Sequence, residues 1–246
     1  MRLKACLNGS REPGAHPQLP LTPGQLARAA ADAVVAGAQA LHLHPRGSDG
    51  LESLQAADVA AALRAVRAAC PGVPVGISSG FWILPDVAAQ LRAAQRWGEL
   101  EQAGRPDFVS VNVHEPHARA LAGTLLQSGI GVEAGLWTPD AVDTFLSWLE
   151  RHRALRVLVE LPDEPEAVTA PQAAAMLGRL EAAALNLPTL LHGLGRSAWP
   201  MVSEAGRRGL STRIGLEDTL SLPDGSAAPD NAGLVRSALA VLASAR

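Results

Sequence analysis

Short apolar runs alternate along this chain with longer stretches of helical period. The short runs fall at 3–9, 40–46, 73–80, 108–113, 132–137, 156–161, 188–193 and 211–218. They are mostly apolar between their ends, as strands buried on both faces should be. Ala-, Leu- and Arg-rich stretches between them predict helices at 22–38, 57–69, 86–97, 117–128, from 138 onward, 170–185, 198–208 and 231–245. The first helix opens on Thr22 as N-cap with Pro23 at its first helical position, where the missing N–H of proline does no harm.

Strands alternating with helices predict βαβ crossovers and a parallel sheet. Eight such units within 246 residues predict a closed (β/α)8 barrel, a TIM barrel spanning 1–246 as a single domain. An open, doubly wound sheet is the alternative. It usually carries a glycine-rich phosphate loop after its first strand, and Asn8-Gly9-Ser10-Arg11 is not one. The Pro- and Gly-rich loop 9–21 is long for a βα connection and reads as a lid or wall of a site.

Barrels of this kind place their sites at the C-terminal ends of the strands. The polar residues at those ends form a coherent set: His42 and His44, Ser78-Ser79-Gly80, Ser110 and Asn112, Glu133, Glu160, His192, and Arg213 through Asp218. His42 and His44 are two apart, so strand alternation turns both imidazoles to one face. Two imidazoles on one strand are half of a site for Zn2+ or another divalent metal. Glu217, at the end of the eighth run, supplies the carboxylate that commonly completes such a set. Arg213, Gly215 and Glu217 share one parity and should face the barrel axis together. Asp218 has the opposite parity and reaches the same site only if the strand has ended before it.

Composition narrows the partners. The chain has a formal charge of −3 and 48% hydrophobic residues, with mean hydropathy +0.11. No basic surface advertises nucleic acid or an anionic membrane. No apolar run approaches a membrane span, and the N-terminal apolar stretch is too short for a signal peptide, so the expected location is cytoplasmic. Cys6 and Cys70 lack the spacing of a disulfide framework or a cysteine zinc site.

Taken together, these residues resemble the β-keto acid cleavage enzyme family. The resemblance runs nearly end to end. It is carried by Asn8-Gly9, Leu19-Pro20-Leu21-Thr22-Pro23, Ala36-Gly37-Ala38, His42-Leu43-His44-Pro45-Arg46, Thr212 through Asp218, Leu222-Pro223-Asp224-Gly225 and Asp230-Asn231-Ala232. The resemblance implies a zinc-dependent homo-oligomeric barrel that takes a β-keto acid and acetyl-CoA to acetoacetate and a new acyl-CoA. It implies His42, His44 and Glu217 as metal ligands, and Arg213 with Asp218 as the dyad that generates a carbanion. It further implies Ser79, Gly80, Ser110 and Asn112 as substrate-binding residues and Glu133 as an additional site acid.

Three departures from the family pattern stand out. Arg11 occupies the place of an acidic residue after the first strand, with Glu12 one position further on. Ser110 replaces a threonine, and the chain is short for the family, which trims loops that would cover CoA. Arg11 and Arg46 could bind an anionic substrate directly, or serve as loop arginines paired to acids. A CoA-independent zinc hydrolase or aldolase-type lyase, and a non-catalytic ligand-binding barrel, are the competing functions.

Overall fold

The computed structural model describes residues 2–245. Its strands are short: β1 (Leu3–Cys6), β2 (Ala40–Leu43), β3 (Val75–Ser78), β4 (Phe108–Asn112), β5 (Gly131–Leu136), β6 (Arg156–Leu161), β7 (Thr189–Gly193) and β8 (Thr212–Ile214). All neighbouring pairs are parallel, in the order β7-β6-β5-β4-β3-β2-β1-β8. A parallel bridge between Leu190 and Ser211 joins the two ends, with Leu191 N–H donating to Ser211 C=O at 2.9 Å. The architecture is therefore the (β/α)8 barrel that the alternation predicts.

The helices are α1 (Pro23–Val35), α2 (Ala56–Ala69), α3 (Val87–Glu99), α4 (Ala118–Gln127), α5 (Pro139–Ser147), α6 (Glu166–Ala182), α7 (Ala198–Arg208) and α8 (Asn231–Ser244). Thr22 caps α1 in a capping box with Gln25, satisfying free N–H groups of the first turn. Asp86, Thr138 and Asp230 accept from the first turns of α3, α5 and α8 in the same manner. Helix α6 begins earlier than the expected 170. Val168 and Thr169 N–H groups already donate to Pro165 C=O, at 2.9 and 3.1 Å, so the turn before Pro171 is helical.

Strand parity divides the buried residues into two sets. Leu3, Ala5, Leu41, Leu43, Val75, Ile77, Val109, Val111, Val157 and Val159 pack outward in the apolar layer shared with the helices. The other parity fills the barrel. Its lower layer holds a charged group: Lys4 Nζ lies 2.6 Å from Glu133 Oε2, and Arg156 Nε lies 3.1 Å from Glu133 Oε1. Lys4 and Arg156 both stack over the Phe108 ring, at 5.5 and 5.4 Å from its centre. Lys4 is the chain's single lysine, and its burial is tolerable because an anion and an aromatic face meet it.

Several of the expected strands end early, β2 and β8 most consequentially. β2 stops at Leu43 and β8 at Ile214. After Ile214 the chain turns, with Asp218 and Thr219 N–H groups donating to Gly215 C=O at 2.9 and 3.1 Å. Gly215 lies so close to the Cys6 backbone that a Cβ would collide with its carbonyl. That close approach lets the turn fold across the mouth of β1. No helix among the described residues is long and apolar enough to cross a membrane.

Glu133→Gln removes the anion that two buried cations share. The expected loss is about 3 kcal/mol of unfolding free energy, the scale for breaking a buried ion pair, read from urea denaturation.

Candidate active site

A cavity of about 400 Å3 opens at the C-terminal ends of the strands. His42, His44, Ser78, Ser110, Asn112, Glu160, Arg213, Glu217 and Asp218 line it from the strands and their ends. Ser10 and Arg11 from the β1 loop, with Trp82 and Trp137, complete much of the wall.

His42, His44 and Glu217 converge, with one ligating atom of each within 4.8 Å of the others. Glu217 Oε2 lies 3.7 Å from Nε2 of both histidines. That is too long for a hydrogen bond. It is close to the roughly 3.4 Å between donors that share an ion at about 2.1 Å. Glu217 Oε2 has no hydrogen-bond partner despite its burial. His44 Nδ1 is bonded to Glu52, which leaves Nε2 facing the cluster. Burial, with help from neighbouring His44, holds His42 well below its usual range and so keeps it neutral. Burial would raise Glu217, but Arg213, with His44 and His192, brings its carboxyl below the usual value. Two imidazoles and one carboxylate fit a divalent metal. Cys6, Glu217 and Asp218 form a second grouping, but burial pushes the Cys6 thiol up and Asp218 is engaged by Arg213.

Arg213 joins the two acids. Its Nη2 donates to Glu217 Oε1 and to Asp218 Oδ1, both at 2.8 Å, and its Nε donates to Asp218 Oδ1 at 3.0 Å. Asp218 Oδ2 is left without a partner. Burial lifts Asp218 to about 7 against the pull of Arg213, with the charge of Glu217 adding to the rise. Asp218 reaches the site because the strand has ended: from Gly215 onward the turn sets direction, and strand parity no longer applies.

Beside this pair, on the neighbouring β6 and β7, Glu160 Oε2 meets His192 Nε2 at 2.8 Å. Both residues are buried, and His192 Nδ1 lies 3.8 Å from Asp218 Oδ1. Burial raises Glu160 to about 7, opposed by Arg213 and Lys4, and burial keeps His192 neutral.

Several expected site residues are placed elsewhere. Glu133 is not in the cavity wall; it points into the barrel one layer lower, paired with Lys4 and Arg156. Ser79 has the outward parity, and its hydroxyl donates to Ser110 C=O at 2.7 Å. Ser78, paired with Ser110 across the strands, takes the cavity position instead. Gly80 is tucked under the Trp82 ring, where a Cβ would collide. Arg46 is buried and donates to the Gly9, Arg11 and Gly50 carbonyls, so it shapes the β1 loop and does not face the cavity. Of the adjacent pair, Arg11 reaches the cavity while Glu12 is exposed. Arg11 is pinned by the Leu216 and Glu217 carbonyls. Asn112 edges the cavity with its amide engaged by Glu115 and Trp137.

Glu52 is the residue beside the candidate site that had no signal in the sequence. It sits in the loop after β2, binds His44 Nδ1, and accepts from Trp82 Nε1 at 3.1 Å. Ser78 was accessible to the same alternation rule that found the histidines.

The model of the beta-keto acid cleavage enzyme family matches residues 1–246. The chain belongs to that family. It is 24% identical over 230 residues to the 3-keto-5-aminohexanoate cleavage enzyme of Fusobacterium nucleatum, covering 89% of this chain and 82% of the relative. Among solved structures it is similar to the binary complex of ObcA with oxaloacetate, at a TM-score of 0.72 and 19% identity. That likeness covers 89% of this chain, and the chain spans 62% of the ObcA length. The 3-hexulose-6-phosphate synthase of Salmonella typhimurium shares the fold over 100% of both chains, at a TM-score of 0.60 and 16% identity. At such identities the structural likenesses speak for the barrel alone.

Two outcomes are expected from this geometry. Glu52→Gln weakens the hydrogen bond that orients His44 and lowers the affinity of the cluster for a divalent metal, probed with Zn2+, by about 10- to 100-fold, measured by competition with a chelating dye. Glu160 binds its proton more tightly folded than unfolded, so its contribution is present below about 4.5 and is lost as pH rises through about 7. The unfolding free energy of Glu160→Gln relative to wild type therefore improves across that window, read from urea denaturation of the chelator-treated proteins.

Proposed function

We propose that this enzyme combines a β-keto acid with acetyl-CoA and yields acetoacetate and a new acyl-CoA. The observation that carries the reading is a single cavity in which His42, His44 and Glu217 converge beside the Arg213–Asp218 pair. His42, His44 and Glu217 would hold a divalent metal, zinc by the chemistry of the donor set. When bound, the metal supplies Lewis-acid polarisation of the keto and carboxylate oxygens of the substrate.

The chain's own residues account for the proton chemistry. Arg213 fixes Asp218 by Oδ1, which leaves Oδ2 to accept the C2 proton of the β-keto acid. A base near 7 is matched to work at neutral pH. The C2 carbanion then attacks the thioester carbonyl of acetyl-CoA and expels the CoA thiolate. That thiolate attacks the original keto carbon, the C2–C3 bond breaks, and Asp218 returns its proton to C2 of acetoacetate. One proton is removed and one is restored, so no external acid or oxidant is needed. Ser78, Ser110 and Arg11 line the cavity with donors for the substrate carboxylate. No Ser-His-Asp arrangement is required, because the nucleophiles are the carbanion and the thiolate.

The decisive assay offers acetyl-CoA and a panel of straight-chain 3-oxo acids and 3-oxo diacids to the zinc-loaded protein. Turnover that requires acetyl-CoA is the expected result, and turnover without it would favour the aldolase-type or hydrolytic alternative. Asp218→Asn should lower kcat by about 100- to 10,000-fold with zinc content unchanged by elemental analysis.

A further inference from the structure

Glu160 is a third carboxyl on the cavity wall, and the reaction as written above gives it no task. Its position is built, not incidental. Oε2 is held by His192 Nε2 at 2.8 Å, and both residues are buried. Oε1 lies over Gly135, where a Cβ would collide with it and would crowd Asn112 Oδ1. Glycine at 135 on β5 therefore makes the room that the Glu160 side chain, arriving from β6, occupies. A large acid is thus set across the cavity from the histidine cluster at the cost of a neighbouring side chain.

Beyond the polarisation a bound metal would give the keto oxygen, the reaction as written assigns no hydrogen-bond donor to the tetrahedral adducts. When the carbanion attacks the thioester, and again when thiolate attacks the keto carbon, the carbonyl oxygen becomes an alkoxide. Donors placed in advance at such an oxygen account for a large share of catalysis in acyl transfer. In the tautomer that has His192 Nε2–H donating to Oε2, the acid proton of Glu160 is carried on Oε1.

Resting on the function proposed above, we propose that Glu160 is a further catalytic residue, a neutral carboxyl whose Oε1–H donates to the alkoxide of the tetrahedral adducts. His192 is its positioning residue. No bond to Glu160 forms or breaks; the proton stays on the acid and is shared only through the hydrogen bond. Burial lifts this carboxyl to about 7, which keeps the acid form populated at neutral pH.

The test separates proton removal from adduct formation. Zinc-loaded wild type, Glu160→Gln and Glu160→Leu are compared with the fastest β-keto acid of the panel. Two rates are read: condensation with acetyl-CoA, and C2 hydrogen–deuterium exchange by NMR without acetyl-CoA. Exchange passes through Asp218 and forms no tetrahedral adduct. The expected result is a fall of about 100-fold in kcat for Glu160→Leu, near-wild-type exchange in both variants, and unchanged zinc content. Glu160→Gln, which keeps an N–H donor, should retain kcat within about tenfold. Full kcat in Glu160→Leu, equal loss in Glu160→Gln, or loss of exchange in parallel overturns the role. If Glu160→Leu does not fold, Gly135→Ala, which displaces the carboxyl, takes its place with the same criteria. A wild type that neither exchanges nor condenses any member of the panel overturns the proposed function itself, and this role with it.

Discussion

The mouth of the barrel depends on Arg213. It is 4% exposed, and its guanidinium bridges Glu217 and Asp218, which are adjacent in sequence. Two neighbouring buried carboxyls repel, and at least one would be protonated without a cation between them. Arg213 divides them by geometry as well as by charge. It takes one oxygen of each and leaves the other free: Glu217 Oε2 toward the histidines and Asp218 Oδ2 without a partner. The planar fork of arginine can serve two carboxylates in this way, whereas a lysine ammonium offers no fixed fork. The arrangement also requires β8 to be short. Had the strand continued to 218, Glu217 and Asp218 would face opposite sides of the sheet. The turn that prevents this depends on Gly215 resting against the Cys6 backbone.

Most of the architecture was legible because it rests on periodicity. The eight alternations became eight strands and eight helices, and the short apolar runs were buried on both faces as their composition required. The His42–His44 pair was legible for the same reason, since a spacing of two in a strand fixes a shared direction. Glu133 lies outside the cavity because parity alone carries no height. It faces the barrel interior as expected, but Glu133 and Arg156 are register partners near the start of β6, which places the carboxylate below the site. Ser79 lies one position off the cavity, since its neighbour Ser78 has the inward parity and the register with Ser110. Glu52 was invisible because a loop after β2 has no periodicity to read, and its partner in space, Trp82, is 30 residues away.

The interior of the barrel is polar at two levels with opposite uses. At the lower level two cations, one carboxylate and the Phe108 face satisfy one another. At the upper level the polar atoms are deliberately incomplete: Glu217 Oε2, Asp218 Oδ2 and His42 Nδ1 have no hydrogen-bond partner. An unsatisfied buried atom costs stability, so a fold tolerates such a cluster where a ligand will complete it. The lower level also acts on the upper one. Its excess positive charge, felt through Lys4, opposes protonation of Glu160, Glu217 and Asp218 and lowers His42. In a low-dielectric interior that influence crosses a layer with little screening. The charged base of the barrel is therefore more than a plug: behind burial and Arg213, it adds to the field in which the acids at the mouth hold or release their protons.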